Sequence, residues 1–397
     1  MDVHQPLALL AGLTPAQFMQ RHWQKKPLVV RQAMPALRPP FSRAGLFALA
    51  ARDEVESRLI EQQGTGWRMK KGPFGARSLP PLSRPGWTLL VQGVDTHGAD
   101  AHALLQQFRF VPDARLDDLM VSFATAGGGV GPHFDSYDVF LLQASGRRRW
   151  KIGRQKNLEL QEDVPLKLLK HFEPEQEFVL DAGDMLYLPP RYAHDGVAEE
   201  STGPDGKPAP CMTYSIGFRA PGKSELASAL LQRLAEYCND DDAPQPRRAA
   251  SGLYSDPAQP ATETPAALPA SLGEFAQQAV AKALADPLAM ACALGEYMTE
   301  PKASVWFESP EPDGDAPLDV AAGVVLDART RMMYDAHHIF INGESFRAGG
   351  ADARLMQRLA NQRRLDASEL RKASEDALAL LEDWHDAGWL QAGAATP

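Results

Sequence analysis

The feature that most constrains the fold of this chain is a succession of short β-type segments between residues 117 and 218. Turn-forming residues separate each segment from the next. Many short strands at this spacing predict a β-sandwich or a β-barrel. Because helical patterns follow this region, the predicted fold class is α+β. The segments are DDLMVSFATA (117–126), DVFLLQA (138–144), RRRWKIG (147–153), EFVLDAGDMLYLPP (177–190), HDGVAEE (194–200) and MTYSIGF (212–218).

The composition is that of a globular protein and excludes several functional classes. Of the 397 residues, 44% are apolar and 23% are charged, and the length predicts roughly two to three domains. Lys and Arg number 41 against 51 Asp and Glu, so the net charge of −10 disfavours bulk binding to nucleic acid and tolerates a basic partner. Three cysteines without a CxxC pair do not make a disulfide framework or a zinc ribbon.

The sequence predicts a cytoplasmic protein without a membrane segment. Its first residues, MDVHQPLALLAGL, contain neither a basic start nor a long apolar core, so they do not resemble an export signal. No apolar run approaches the roughly 20 residues that a membrane-spanning helix requires.

Two polar, proline-rich stretches divide the second half of the chain. Residues 239–270 predict a mobile linker, and ESPEPDGDAP (308–317) marks another boundary. Residues 224–238 and 271–299 have helical periodicity, and the latter is interpreted as one helix broken near Pro287 or as two helices. The tail has two strand-like runs, RMMYD and HIFING, followed by helical patterns at 351–362 and 366–388.

Two segments contain a candidate metal site. The first is GPHFD (131–135), in which His133 and Asp135 would point to the same face of a strand because they are two residues apart. The second is GDMLYLPPRYAH (183–194), in which a glycine turn, an apolar strand and two prolines lead to His194. Two imidazoles and one carboxylate form the facial triad of non-haem Fe(II) oxygenases, which leaves three octahedral positions open.

An HxD sequence alone is weak evidence, because an isolated histidine is more often a hydrogen-bonded structural group. The β-rich setting and the distant Gly–Pro–His hairpin favour the metal site here. His171, His337 and His338 have no such context and are interpreted as surface or core residues.

Three segments of the sequence resemble the bacterial ribosomal oxygenases: GGGVGPHFDSYDVFLLQASGRRRWKIG, GDMLYLPPRYAH and YSIGFRAP. These enzymes belong to the JmjC/cupin oxygenases, and they hydroxylate an arginine in large-subunit ribosomal protein number sixteen. The resemblance extends to FMQRHWQKKPLVV and GLYSDP. It departs from the family pattern at Arg191, where glycine is usual, and at Thr213, where Asn is expected beside the cosubstrate.

The resemblance implies a double-stranded β-helix (JmjC/cupin) catalytic domain, a helical dimerisation region and a C-terminal winged-helix-like domain. It also implies Fe(II), the cosubstrate 2-oxoglutarate and O2, a basic, arginine-bearing ribosomal protein as substrate, and a homodimer. Competing hypotheses are a histidyl hydroxylase or lysyl demethylase on the same scaffold, or a non-catalytic, metal-stabilised cupin module. The corresponding domain boundaries are 1–220, 221–305 with the linker at 239–270, and 306–397.

Strand periodicity selects Arg148 among three consecutive arginines. Trp150 and Ile152 are the apolar, inward residues of this strand, so Arg148 points inward while Arg147, Arg149 and Lys151 point outward. A buried arginine needs an anion, and a bidentate carboxylate suits its geometry. The family places its cosubstrate-binding arginine at this position and its cosubstrate-binding serine at Ser122. The alternative is a structural ion pair with a carboxylate of the protein.

Three further residues are candidates for the substrate mouth, that is, for lining the entrance through which the substrate reaches the metal site. If Ser122 faces the interior, so do Met120 and Asp118, and Tyr137 is in phase with His133 and Asp135 if the strand continues without a bulge. The equally weighted alternative is that Met120 belongs to the core and Asp118 is a solvated strand end.

The tail has a nearly balanced charge. Nine Arg and Lys against eleven Asp and Glu over 321–397 give a net charge of −2, which favours protein interaction over direct DNA binding.

Overall fold

The computed structural model describes residues 2–64, 66–75, 77–202, 210–239, 253–261, 266–308, 318–347 and 349–393. The chain divides into two compact units, Met1–Ala220 and Pro221–Pro397. Most of the predicted linker at 239–270 and nearly all of the proline-rich stretch at 308–317 lie outside the described residues. The prediction that the linker is mobile concerns this part of the chain. Among the described residues, no helix is both long and apolar enough to cross a membrane.

The first unit consists mainly of short antiparallel strands, with three helices near its start. Its elements are α1 Pro15–Arg21, β1 Leu28–Val30, α2 Arg43–Leu49, β2 Ser57–Gln63, β3 Gly66–Lys71, β4 Trp87–Val91, α3 Ala99–Gln106, β5 Leu116–Ala124, β6 Val139–Ser145, β7 Arg148–Gly153, β8 Gln176–Leu180, β9 Met185–Leu188, β10 Ala193–Ala198 and β11 Cys211–Phe218.

Two antiparallel sheets make up the β-structure of this unit. The larger has the order β1-β9-β6-β11-β5-β4-β2-β3, and the smaller has the order β10-β7-β8. Leu141 and Leu186 of the larger sheet share one buried apolar cluster with Trp150 and Ile152 of the smaller sheet. The sheets therefore pack face to face around an interior, which confirms the α+β class and the expected double-stranded β-helix.

The outer face of the larger sheet is covered by a second and larger apolar core. Phe18 of α1 has no exposed surface and contacts the rings of Phe140 and Tyr187, with centroids 5.4 Å and 4.9 Å away. Helix α1 begins at Thr14, whose side chain accepts a hydrogen bond from Gln17 in a capping box. Because alternate residues of β5, β6 and β11 enter this core, the remaining ones face the interior between the sheets.

Two sequence predictions need correction in this unit. The segment 177–190 is two strands, β8 and β9, because a turn with Gly183 at φ +93° separates them. The segment 131–135 is not part of a strand: His133 forms an isolated bridge, and the chain bends at Ser136 and Tyr137. The assumption that His133, Asp135 and Tyr137 share a strand phase is therefore wrong.

The second unit begins with three helices and continues as a small mixed fold. Its elements are α4 Lys223–Asn239, α5 Ala270–Leu284, α6 Pro287–Thr299, β12 Val324–Leu326, β13 Met332–Tyr334, β14 His338–Ile341, β15 Glu344–Arg347, α7 Gly350–Gln362, β16 Arg364–Leu365, α8 Ala367–Leu370, α9 Glu375–Asp386 and β17 Leu390–Ala392.

The segment 271–299 is two helices, the second of the two interpretations. Asp286 caps α6 by accepting hydrogen bonds from the backbone of Leu288 and Ala289, and Pro287 occupies the first position of that helix. Beyond α6, two three-stranded sheets, β16-β12-β17 and β13-β14-β15, accompany helices α7 and α9. Leu359 and Trp384 of these helices are buried in a core that is separate from those of the first unit.

Candidate metal centre

His133, Asp135 and His194 come together at the inner edge of the two sheets. One ligand atom from each side chain lies within 4.8 Å of the others. The Nε2 atom of His194 is 3.7 Å from Oδ2 of Asp135, and the two imidazole centroids are 4.2 Å apart. Among the described residues, no other group of at least three His, Cys, Asp or Glu has this geometry.

The backbone, rather than a continuous strand, holds these three residues in place. The N–H of His133 donates to the carbonyl of His194 at 2.9 Å, and the N–H of His194 donates to the carbonyl of His133 at 2.8 Å. The N–H of Arg191 donates to the carbonyl of Asp135 at 2.7 Å. Arg191 has φ +62°, so the turn that usually contains glycine keeps its left-handed conformation with arginine.

The hydrogen bonds of the two imidazoles leave one nitrogen of each ring available for a metal. Nδ1 of His133 lies 2.8 Å from the carbonyl of Gly131, and Nδ1 of His194 lies 2.9 Å from the carbonyl of Tyr192. A carbonyl only accepts, so each Nδ1 carries the proton and each Nε2 has a free lone pair. This arrangement is typical of imidazoles that bind metal through Nε2.

The protonation state of His194 also suits a metal ligand. Burial, followed by the nearby His133 imidazole, lowers the pKa of His194 to about 4. The neutral form therefore prevails at neutral pH. Two imidazoles and one carboxylate match the donor set of a divalent iron or cobalt ion.

Arg148 is a buried cation that forms no ion pair with a described carboxylate. It is 3% exposed, and it donates to the carbonyl of Gly196 at 3.2 Å and to Oγ of Ser122 at 3.1 Å. Its Nε has no hydrogen-bond partner, and among the described residues no carboxylate lies within ion-pair distance of it. A buried guanidinium of this kind provides a site for an anion such as a ligand carboxylate.

Arg147, which immediately precedes β7, and Arg149 and Lys151 of β7 point to the opposite side from Arg148. Arg147 is 2.9 Å from Asp181, and Arg149 is 2.6 Å from Glu177. Lys151 lies 3.8 Å from the same glutamate. The inward and outward side chains of β7 therefore alternate as strand periodicity predicts. Among the described residues, no ion pair supports the alternative that Arg148 is a structural partner of a carboxylate.

A polar row continues from Ser122 across the larger sheet. Ser122 is paired in register with Thr213 of β11, and Thr213 is paired with Gln143 of β6. The hydroxyl of Thr213 donates to Oε1 of Gln143 at 2.9 Å. Sequence reasoning missed Gln143, although an amide in the otherwise apolar run VFLLQA was a signal for a buried polar contact.

The three candidates for the substrate mouth occupy different environments. Asp118 is 5% exposed and accepts a hydrogen bond from Gln92 at 2.8 Å, so it is not a solvated strand end. Met120 is half-buried, and its Sδ lies 4.0 Å from a guanidinium nitrogen of Arg58. Tyr137 is 39% exposed. Burial of its phenol, followed by the carboxylates of Asp135 and Asp118, raises the pKa of Tyr137.

Family comparisons match both parts of the chain. The JmjC domain matches residues 103–226, which include all eight of the candidate site residues. The ROXA-like winged helix matches residues 282–391.

Individual relatives match over most of the chain. It is 36% identical over 299 residues to the ribosomal protein uL16 3-hydroxylase of Escherichia coli (strain K12), and the match covers 74% of each protein. An X-ray structure of Escherichia coli YcfD has a TM-score of 0.79 and 30% identity, covering 95% of this chain and 98% of that one. A structure of Escherichia coli YcfD in complex with cobalt and 2-oxoglutarate, described as a ribosomal oxygenase, has a TM-score of 0.76 and 31% identity. The match covers 95% of this chain and 98% of that one. This chain therefore belongs to the ribosomal oxygenase family of JmjC-domain proteins.

Proposed function

We propose that this protein is an Fe(II)- and 2-oxoglutarate-dependent dioxygenase that hydroxylates an arginine side chain of a large-subunit ribosomal protein. One observation carries the proposal: the ligand atoms of His133, Asp135 and His194 lie within 4.8 Å of one another, with both Nε2 lone pairs available. The relative named as a ribosomal protein uL16 3-hydroxylase and the YcfD complex with cobalt and 2-oxoglutarate support this reaction.

In this proposal the three side chains hold Fe(II). When bound, Fe(II) with 2-oxoglutarate and O2 supplies the oxidation, in which 2-oxoglutarate becomes succinate and carbon dioxide and one oxygen atom enters a substrate C–H bond. The backbone bonds at His133, His194 and Asp135 hold the main chain of the three residues that would bind the metal. The protein contributes positioning and the exclusion of water.

Arg148 and Ser122 hold the far carboxylate of 2-oxoglutarate. The guanidinium is buried and lacks an anionic partner among the described residues, and Ser122 Oγ lies 3.1 Å from it. Thr213 extends this polar row in place of the family's asparagine, with its hydroxyl oriented by Gln143. Trp150 and Ile152 line the same interior and exclude water from it.

The substrate arginine binds at Asp118, Met120 and Tyr137. A buried carboxylate and a partly exposed aromatic ring suit a guanidinium, and the net charge of −10 suits a basic partner. A guanidinium held at Asp118 would direct its aliphatic stem toward the metal, so oxidation falls on a methylene rather than on nitrogen. The name of the uL16 3-hydroxylase is consistent with this inference.

The second unit serves assembly and protein interaction in this proposal. Residues 1–220 form the catalytic domain, 221–305 the dimerisation region and 306–397 the winged-helix-like domain. Support for a homodimer comes from large apolar side chains that helices α4 to α6 leave exposed. These side chains are Leu231, Phe275, Val280, Leu284 and Leu294. The net charge of −2 over 321–397 argues against direct DNA binding.

The metal ligands are tested by single alanine substitutions. His133→Ala, Asp135→Ala and His194→Ala should each abolish 2-oxoglutarate decarboxylation and weaken Co(II) binding, because each removes one donor from the triad. Calorimetry measures the Co(II) affinity, and circular dichroism verifies that the variants are folded. The exposed His171→Ala variant is the matched control and should behave as the unsubstituted protein. Full turnover by Asp135→Ala would refute the assignment.

The cosubstrate pocket is tested at two adjacent arginines. Arg148→Ala should raise the dissociation constant for 2-oxoglutarate about 10- to 100-fold, because a charged hydrogen-bond partner is worth about 1.5–3 kcal/mol. Arg148→Lys should have an intermediate dissociation constant, since lysine keeps the positive charge but lacks the planar guanidinium that binds a carboxylate through two hydrogen bonds. Arg147→Ala, at the exposed position just before the same strand, should change the constant little. If Arg147→Ala is the more sensitive variant, the assigned pocket is wrong.

The substrate is tested with fragments of the ribosomal protein. Incubation with Fe(II), 2-oxoglutarate and an arginine-containing uL16 fragment should add ~16 Da to one arginine by mass spectrometry, as one oxygen atom is inserted. Replacing that arginine with lysine should reduce turnover, and Asp118→Asn should raise the KM for the fragment. Oxidation of a histidine-bearing or methyl-lysine peptide instead would favour the histidyl hydroxylase or demethylase. Absence of 2-oxoglutarate turnover with every peptide would favour the non-catalytic module.

The dimer is tested by light scattering of the full chain. We expect a mass of two chains at micromolar concentration, because the exposed apolar residues of α4 to α6 would be covered in a homodimer. Leu231→Glu combined with Val280→Glu should shift the protein toward the monomer. A monomer across the micromolar range for the unsubstituted chain would contradict the proposal.

A further inference from the structure

Two large side chains pack against the backbone of Gly131, two residues before the proposed ligand His133. Gly131 has φ +78°, a conformation that favours glycine. A Cβ atom built on it would lie 2.8 Å from Cδ2 of Leu168 and 2.9 Å from Cζ2 of Trp67. Real Cβ atoms do not approach other atoms so closely, so the indole and the leucine pack directly against the main chain.

The carbonyl of Gly131 is the group that orients His133. It accepts the Nδ1–H of that imidazole at 2.8 Å, and this bond directs Nε2 toward Asp135 and His194. The His194 ring is 3% exposed and packs near Trp150, with centroids 5.9 Å apart. The His133 ring is only half-buried, so its orientation depends more strongly on its carbonyl partner.

The two side chains that pack against Gly131 are supported differently. Leu168 is 1% exposed, and the adjacent N–H of Leu169 donates to the carbonyl of Pro132 at 2.8 Å. Trp67 belongs to the edge strand β3, and its ring is only partly buried. The indole therefore limits how far the Gly131 peptide can rotate away from His133.

We propose that Trp67 is a positioning residue for the metal centre: its ring fixes the Gly131 carbonyl and thereby the tautomer and direction of the His133 imidazole. This inference rests on the proposed role of His133 as a metal ligand. Trp67 acts through its contact with Gly131 and is not itself one of the proposed metal ligands. A group that hydrogen-bonds a ligand, as the Gly131 carbonyl does, typically contributes about 10- to 100-fold to metal affinity.

The inference is tested with Trp67→Ala, Trp67→Phe and the control Met69→Ala. Met69 lies two residues further along β3, on the same face and with similar burial, so its truncation reproduces any general weakening of the β2–β3 hairpin. Calorimetry gives the affinity for Co(II), and NMR of the metal-free protein follows the His133 Nδ1–H signal. Trp67→Ala should weaken Co(II) binding at least about 10-fold and speed exchange of that proton.

Trp67→Phe keeps an aromatic ring and should fall between Trp67→Ala and the unsubstituted protein. Met69→Ala should leave both the Co(II) affinity and the Nδ1–H signal unchanged. Equal losses in Trp67→Ala and Met69→Ala, or unchanged values in Trp67→Ala, would overturn the inference. If the unsubstituted protein bound no Co(II), the proposed function would fail, whereas the Nδ1–H signal would still report whether Trp67 orients His133.

Discussion

Two backbone hydrogen bonds between His133 and His194 are the constraint on which the candidate site depends. They join an irregular segment to β10 across about sixty residues of sequence, and no side chain takes part in them. Because peptide groups make the connection, the backbone pairing itself brings the two imidazoles together. The two apolar cores provide the favourable burial that offsets the entropy lost on ordering these segments.

The second constraint is the burial of Arg148 with only part of its hydrogen-bonding capacity satisfied. Moving a guanidinium into an apolar interior is unfavourable unless an anion compensates the charge. The described neighbours supply a carbonyl and a hydroxyl, and Nε remains without a partner. In the proposed function, a dianionic cosubstrate would offset this unfavourable energy, and Arg148 would then give the pocket its selectivity for carboxylates.

Sequence reasoning located much of this site because strand periodicity is a local property. The inward phase of Arg148 follows from Trp150 and Ile152. The strands between 117 and 218 were found with small errors at their ends, except that the segment 177–190 is two strands. The bridge at His133 was misread as a strand because it depends on a partner distant in sequence. Trp67 was missed for a related reason: β3 is an edge strand rich in Arg and Lys, and its own sequence carries little sign of the glycine turn it contacts.

The departure at Arg191 shows which part of a turn matters to the site. The left-handed conformation costs an L-residue about 1 kcal/mol relative to glycine, which explains why glycine is usual there. The bond to the carbonyl of Asp135, however, comes from the backbone N–H, and every residue except proline can provide it. Arginine therefore preserves the link between the two ligand segments at a modest cost in stability. The metal centre depends on the peptide geometry of this turn and not on the identity of its side chain.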